Sequence, residues 1–353
     1  MFRTLRHLIG AAILAFLTVA AVMLARFAAP LWFSFYTDFS RKAIRAVASV
    51  TALVPVPIWE ILLVLLVLSI PIGLICAISK KKVVGWVTGV VEFAVFLVFL
   101  FVGVWGLNYY APDIGSQIGL RVEEYDTDDL RQAAAYYAEQ ASACAAQVER
   151  DEDGNVILPE FARISDLAVE AYDSLGRTEP RFNGVIRSAK PLLVSEAFAY
   201  TGTSGVFVCL TGEATVSTAT FPVSLPFTVA HELGHSLAVA PEDQANYSAF
   251  LACRASGDPL LRYSGYYSAF VYCFNALYHT DRTAAGKLWD LCSPQLIEDC
   301  KRHTAFNEQY EGKVQDTAQT VNDTYLKAFN QKDGVKSYGL VVDYLIADYL
   351  KNK

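Results

Sequence analysis

Three long apolar runs near the start of the chain constrain its fold more than any other feature. They extend over residues 8–33, 59–79 and 83–107. Each is close to or longer than the roughly 20 residues that a helix needs to cross a bilayer. The first run follows Arg3 and Arg6 as in a signal peptide, but it is long and lacks a convincing cleavage site. We therefore predict that residues 1–110 form a membrane anchor of three transmembrane helices.

Basic residues at the ends of these runs predict the orientation in the membrane. Arg3 and Arg6 precede the first run, and three lysines at 80–82 fill the turn between the second and third. Cytoplasmic segments carry an excess of Lys and Arg, so both should be cytoplasmic. The segment 34–58, which we interpret as a loop, has three basic residues that weaken this bias without reversing it. Residues 111–353 are then extracytoplasmic.

A glutamate interrupts the third run. Glu92 is costly in lipid, so we expect it to face a neighbouring helix and to make a structural polar contact there.

The remainder, residues 111–353, has a different composition. It holds twenty Lys and Arg against thirty-three Asp and Glu, whereas residues 1–110 hold nine against three. An acidic domain repels nucleic acid and anionic lipid, so neither is an expected partner. Six of the seven cysteines fall here, which permits disulfides outside the cytoplasm, although spacing does not give the pairing. At 243 residues the domain can bury a sizeable core.

The pattern of this second part predicts a mainly α fold with a small β-sheet, an α+β domain. Helices are expected from Thr127 and from Pro159, the latter ending at Gly176. Strands are predicted at 191–195 and 205–210. Residues 263–278 are too short and too rich in tyrosine for a fourth span, which indicates a buried or membrane-interface helix.

The chemistry is concentrated in the segment Thr-Val-Ala-His-Glu-Leu-Gly-His-Ser-Leu at residues 228–237. His231 and His235 lie one helical turn apart, so both imidazoles can bind one metal ion, for which we predict zinc. Glu232 lies about 100° round the helix and can reach the open side of that metal. A carboxylate there can take a proton from the attacking water. The alternative interpretation is a helix with two ordinary surface histidines.

Neighbouring residues support a helix at this motif. Pro226 suits its first turn, and Pro241 disfavours helical geometry at Ala240, so the helix should end near Val239. Gly234 is a poor helix former, which indicates close packing against another backbone. The face away from the histidines is apolar and should lie in the core: Val229, Leu233 and Leu237.

A third protein ligand is needed for a zinc hydrolase site. Glu242 and Asp243 follow the motif closely, and His279 and His303 are more distant candidates. The run Glu-Asp-Gln-Ala-Asn at 242–246 resembles the second-helix motif of ImmA/IrrE-type and CAAX-prenyl-protease-like metallopeptidases. That resemblance implies that Glu242 binds the metal and that Asn246 orients a histidine. The alternative is that the acidic pair only begins a helix.

Several segments together resemble one family of bacterial membrane proteins. They are Val-Trp-Gly-Leu-Asn-Tyr at 104–109, Leu-Thr-Gly-Glu-Ala at 210–214, Leu-Pro-Phe-Thr-Val-Ala-His at 225–231, Glu-Asp-Gln-Ala-Asn-Tyr at 242–247, Tyr-Leu-Lys at 325–327 and Gly-Val-Lys-Ser-Tyr at 334–338. The chain is similar over nearly its full length to the domain-of-unknown-function 3810 family, whose members look like membrane-anchored, gluzincin-type peptidases. A second acidic residue is expected where Gln244 stands.

The resemblance also implies roles for two further residues. Glu213 could bind a substrate amine or cap a turn. Tyr338 could donate a hydrogen bond to the oxyanion of the reaction, or be an ordinary buried tyrosine.

These expectations combine into a zincin-like metallopeptidase domain behind three transmembrane helices. His231, His235 and Glu242 would hold Zn²⁺, Glu232 would be the catalytic base, and the substrate would be a peptide or protein. The alternatives are a non-catalytic zinc-binding membrane sensor or receptor component and an intramembrane site-2-type protease.

Overall fold

Helices make up most of the chain. The computed structural model describes residues 2–184 and 187–353, except the side chains of Phe2, Arg3, Ala29, Pro30, Val335, Ser337 and Tyr338. The described helices are, in chain order, α1 (Phe2–Thr51), α2 (Ile58–Ser79), α3 (Val83–Val104), α4 (Ile114–Gln117), α5 (Thr127–Ala145), α6 (Phe161–Thr178), α7 (Ser195–Ala199), α8 (Leu225–Ser236), α9 (Glu242–Ala255), α10 (Pro259–Thr280), α11 (Arg282–Trp289), α12 (Pro294–Glu308), α13 (Lys313–Ala328) and α14 (Val341–Asn352). Short 3₁₀ segments lie at Gly106–Tyr110, Pro180–Phe182 and Gly334–Leu340. A mainly helical chain with three apolar N-terminal helices is therefore confirmed.

A small sheet accompanies these helices. Its described strands are β1 (Lys190–Pro191), β2 (Gly205–Val208) and β3 (Glu213–Val216), in the order β1-β3-β2. β1 pairs in parallel with β3, with Lys190 opposite Thr215. The strand predicted at 205–210 is confirmed in its first four residues, but 191–195 is wrong beyond Pro191, because α7 begins at Ser195. β3 was missed because it has only four residues, of which Glu213 and Ala214 have low strand propensity.

Packing divides the chain into two units. The first comprises residues up to Pro112 together with Val208–Glu213, and the second comprises Asp113–Phe207 and Ala214–Lys353. The predicted anchor of residues 1–110 and domain of residues 111–353 differ from this division mainly at Val208–Glu213. That segment connects two strands of the sheet, yet its contacts are with the anchor helices.

Among the described residues of the first unit, three helices are long and apolar enough to cross a membrane, at Thr4–Ala28, Ile58–Ser79 and Val83–Val104. A membrane-embedded protein is therefore indicated. The loop predicted at 34–58 is wrong in most of its length, because α1 continues to Thr51 after a kink at Ala28. Residues 31–54 contain neither Gly nor Pro to end a helix, whereas Pro30 lacks the N–H that would bond back to Arg26.

Glu92 makes the predicted polar contact within this unit. Its Oε2 lies 2.5 Å from Nδ1 of His7 on α1. Gly10 makes room for the carboxylate, since a Cβ there would lie only 2.1 Å from Oε1 of Glu92. The pair joins α1 to α3, as expected for an ionisable group among apolar helices.

The second unit is built round α10, which packs against α5, α8 and α9. Tyr263, Tyr267 and Phe270 of α10 are fully buried, so this segment is a buried core helix. The helix predicted to end at Gly176 continues to Thr178. Gly176 instead lets Asn183 approach the helix closely, because a Cβ at Gly176 would lie 2.2 Å from Oδ1 of Asn183. This core supports α8 and α9, the two helices that carry the predicted site.

Candidate metal centre

Helices α8 and α9 bring three potential metal ligands together. Oε2 of Glu242, the first residue of α9, lies 3.2 Å from Nε2 of His231 and 3.6 Å from Nε2 of His235. One ligand atom from each residue lies within 4.8 Å of the others, and all three residues are buried. Among the described residues this is the one group of three such side chains that could hold a metal ion.

Nδ1 of each imidazole already makes a hydrogen bond within the protein. Nδ1 of His231 lies 2.8 Å from Oδ1 of Asn246, and Nδ1 of His235 lies 2.7 Å from the carbonyl oxygen of Val239. A carbonyl can only accept, so Nδ1 of His235 carries the proton. A cation that displaces the proton from Nε2 would find that nitrogen on the side of Glu242, in the orientation of a metal ligand. The contact predicted for Asn246 is present.

Glu242 and His235 shift each other's pKa. Burial by itself would lower the pKa of His235, but the carboxylate of Glu242 outweighs it and raises that pKa to about 9. Burial would raise the pKa of Glu242, but both histidines lower it well below its ordinary value. A buried carboxylate that favours the protonated form of His235 beside it is an environment that also favours a bound cation. Two imidazoles and a carboxylate are the donors that zinc prefers, so the residues fit that metal.

Glu232 lies beside this group without joining it. Its carboxylate packs against β2, and a Cβ at Gly205 would lie 2.4 Å from Oε1 and 2.7 Å from Cδ of Glu232. In the described part of the chain, its buried Oε2 has no hydrogen-bond partner. Burial raises the pKa of Glu232, against the opposing effect of His231 and His235. A buried carboxylate oxygen without a hydrogen-bond partner destabilises the fold. A water or a ligand is therefore expected to hydrogen-bond with Oε2 of Glu232.

The position of α8 is fixed at both ends. Pro226 lies in its first turn, and the face predicted to be apolar is fully buried. The helix ends at Ser236 rather than near Val239, because Ala238 takes a left-handed conformation with φ of 61°. Arg181 donates to the carbonyl of Leu237 at 2.9 Å, which helps to hold this early end in place.

Gly234 allows the predicted close packing, and the atoms nearest to it belong to side chains, with the backbone oxygen of Ala245 at 3.8 Å from where a Cβ would lie. A Cβ at Gly234 would lie 2.6 Å from Oγ of Ser248 and 2.8 Å from the hydroxyl of Tyr172. That hydroxyl donates to the carbonyl of Ala230 at 2.9 Å and lies 3.2 Å from Oγ of Ser248. This contact sets the distance between α6, α8 and α9.

The remaining candidates lie apart from the three ligands. Asp243 is nearly buried, its pKa is raised to about 6 mainly by burial, and the charge of Asp113 adds to the rise. Gln244 accepts from the backbone N–H of Ile114 at 3.1 Å. His279 is exposed at the end of α10. The predicted role of Tyr338 concerns a side chain outside the described residues, and it stays a prediction.

Glu213 has a local role in the first unit. Its two carboxylate oxygens accept from the backbone N–H groups of Ile58 and Trp59, at 2.9 and 3.0 Å. These N–H groups lie at the start of α2 and have no carbonyl partner within the helix, and a negative charge is favourable there. The alternative role of Glu213 as a substrate contact stays a prediction, but its oxygens already bind these two amides.

Three residues near the site gave no signal in the sequence. Burial raises the pKa of the Tyr272 hydroxyl, and the charge of Glu242 adds to the rise, so this phenol remains protonated close to the site. The ring of Phe207 stacks on His235 with centroids 6.3 Å apart. Oε1 of Gln331 lies 3.4 Å from the backbone nitrogen of Glu242. All three come from distant parts of the chain, so only the fold identifies them.

His303 is partly buried, packs against core residues and lies away from the ligands. Its ring stacks on Phe221 with centroids 4.6 Å apart, and Nδ1 lies 2.9 Å from the hydroxyl of Tyr267. Burial lowers its pKa to about 4. Since the unfolded chain has a pKa near 6.5, it binds this proton first as the pH falls. The free energy of unfolding should therefore fall by up to roughly 3 kcal/mol between pH 7 and pH 4 on account of this group.

Denaturation of the detergent-solubilised chain at several pH values checks this expectation. His303→Phe keeps a ring against Phe221 but cannot titrate, so its stability should depend less on pH in this range. Equal pH dependence in the two proteins would contradict the assignment.

The fold and site together define a helical domain with a buried His-His-Glu group, joined to three apolar helices. A protein-family model, described as "Protein of unknown function (DUF3810)", matches residues 35–346. The chain belongs to that family, as its motifs indicate. No curated protein and no solved structure matches the chain.

Proposed function

We propose that this chain is a membrane-anchored zinc-dependent peptidase. The observation that carries the proposal is the combination of three convergent ligand atoms with a neighbouring carboxylate, that of Glu232, whose buried Oε2 has no hydrogen-bond partner among the described residues. A site that only held a structural zinc would be expected to close its fourth position with another protein ligand. Here the neighbouring group is Glu232, which is suited to proton transfer.

In this proposal His231, His235 and Glu242 hold the metal. When bound, zinc would supply Lewis acidity, which lowers the pKa of a water and polarises a substrate carbonyl. Glu232 takes the proton from the attacking water and later delivers it to the leaving amine. Asn246 and Val239 hold the two imidazoles in the orientation that leaves their Nε2 atoms available.

Strand β2 is the wall along which a substrate would lie. It is at one edge of the described sheet, because the order is β1-β3-β2. Its first residue, Gly205, contacts the carboxylate of Glu232. An extended peptide can add to an exposed strand edge through main-chain hydrogen bonds, which would place a peptide bond beside the base. The substrate class that follows is an extended segment of peptide or protein.

The two alternative functions have less support. An intramembrane protease would carry its motif on a span, whereas α8 is not among the three candidate spans of the described residues. A non-catalytic zinc sensor would use the same three ligands, but it gives no reason for the unbonded oxygen of Glu232.

The direct test uses the full chain purified in detergent. We expect close to one zinc per chain after loading, and cleavage of some members of a mixed peptide library. Protein that is fully loaded with zinc yet inert on every peptide would favour the sensor, and protein that binds no zinc would remove the proposal.

Gly205→Ala tests the contact between β2 and the base. The new methyl group would overlap the carboxylate of Glu232 and displace it. We expect hydrolysis to fall by about 100-fold, the usual effect of a misplacement near 1 Å, while zinc content stays unchanged. Gly257→Ala is the matched control, because no atom lies within 4 Å of a Cβ there. Full activity in Gly205→Ala would show that Glu232 acts from another position or not at all.

The proposed orientation places lysines 80–82 in the cytoplasm and Lys353 outside it. Cysteines introduced one at a time at Lys81 and Lys353, in a Cys76→Ser background, can be labelled on intact cells with a membrane-impermeant reagent. We expect labelling at 353 and none at 81 until the cells are lysed. The opposite pattern would reverse the topology.

A further inference from the structure

The candidate metal centre is closed to solvent. His231, Glu232, His235 and Glu242 are each at most 8% exposed. A peptide bond cannot reach Glu232 in this state without the movement of a neighbouring element. The element that moves should be one whose displacement costs little free energy.

Helix α13 is the least embedded of the long helices in the second unit. Only Leu326, near its end, is buried. No residue from Asp316 to Tyr325 is buried, and Val321 is 66% exposed. An element with so few buried apolar contacts opens at a small fraction of the cost of unfolding the domain.

The N-terminal end of α13 lies near β2. A Cβ at Gly202 would lie 3.1 Å from Cγ of Gln315, and Gly202 precedes β2 by only three residues. Just before α13, the hydroxyl of Tyr310 donates to Glu196 of α7 at 3.2 Å. The helix therefore begins against the loop that leads into β2.

The other end lies on the side of the metal ligands. The chain turns at Asn330, whose φ is 69°, and then buries Gln331. Oε1 of Gln331 lies 3.4 Å from the backbone nitrogen of Glu242. That N–H group, at the start of α9, has no carbonyl partner within the helix. α13 thus connects the two walls of the site, the strand that contacts Glu232 and the helix that supplies Glu242.

We propose that α13 is a movable strap that closes the catalytic site, held on the strand side by Gln315 and on the ligand side by Leu326 and Gln331. The proposal rests on the peptidase function above and adds its means of access. The strap opens to admit an extended peptide beside β2 and then closes, which shields the site from bulk water while the attacking water stays beside Glu232. A folded protein would be a poor substrate, because its chain cannot lie between strap and strand.

A reversible lock tests the strap. A Cβ at Gly202 would lie 3.1 Å from Cγ of Gln315, the atom that the sulfur of Gln315→Cys would replace, so Gly202→Cys and Gln315→Cys, in a Cys76→Ser background, can form a disulfide. After oxidation, confirmed by mass spectrometry, we expect peptide hydrolysis and removal of zinc by a chelator each to slow by about tenfold or more. Reductant should restore both rates. The two variants that carry only one of the introduced cysteines, oxidised in the same way, should be unaffected.

Hydrogen exchange separates failure of the strap from failure of the function. Backbone amides of α13 should exchange about 100-fold faster than those of α8 and α9, and the disulfide should slow them. Leu326→Ala, which loosens the ligand-side end, should speed both α13 exchange and zinc removal without changing zinc stoichiometry. Exchange of α13 as slow as that of α8, or unchanged hydrolysis in the locked protein, would overturn the strap. Absence of zinc or hydrolysis in the wild type would instead remove the peptidase function and leave the exchange result standing.

Discussion

Glu232→Gln should retain zinc and lose hydrolysis by roughly 100- to 10,000-fold, the usual contribution of a positioned base. The substitution keeps the size of the side chain, so the packing against Gly205 is preserved. An amide cannot accept the proton of the attacking water, and this is the property that the variant removes. The measurement is the rate of cleavage of a responsive library peptide, with zinc content determined on the same samples.

Two further variants show whether the loss is specific to the base. Glu242→Gln should lose metal affinity first and activity as a consequence, because its carboxylate, beside both imidazoles, is the proposed third ligand. Asn246→Ala should weaken metal binding or activity by about 10- to 100-fold, since it removes the partner of His231. Equal activity in wild type and Glu232→Gln would exclude Glu232 as the base.

His231→Ala should abolish zinc binding. It leaves two ligands, too few for a stable site, and it also leaves Asn246 without its imidazole partner. Titration of the metal-free chain with Co²⁺, followed by its visible absorption, measures the loss independently of any activity. His279→Ala is the matched control, because that histidine is exposed and belongs to no described ligand group. Full metal stoichiometry in His231→Ala would remove the site assignment.

Much of the predicted site follows from local geometry. His231, Glu232 and His235 belong to one helix, whose period alone sets their relative directions. The buried face of α8 was predictable for the same reason, and it is confirmed. Errors arose where a contact from a distant residue decides the outcome. Ala238 ends α8 early, and a distant guanidinium, Arg181, binds at this end. Gly176 does not end its helix, because it serves the approach of Asn183.

The sequence by itself determined the three apolar helices and the histidine pair, because length, hydrophobicity and helical period are properties of short segments. It could not choose among Glu242, Asp243, His279 and His303 without a resemblance. The turn between α8 and α9 brings Glu242, and not the other three, close to both imidazoles.

The tertiary structure alone placed Gly205 against Glu232, Val239 behind His235 and Gln331 at Glu242. These contacts join residues from separate elements, and Gln331 is 89 positions from its partner. Their energies depend on how helices and strands pack, which no local pattern encodes.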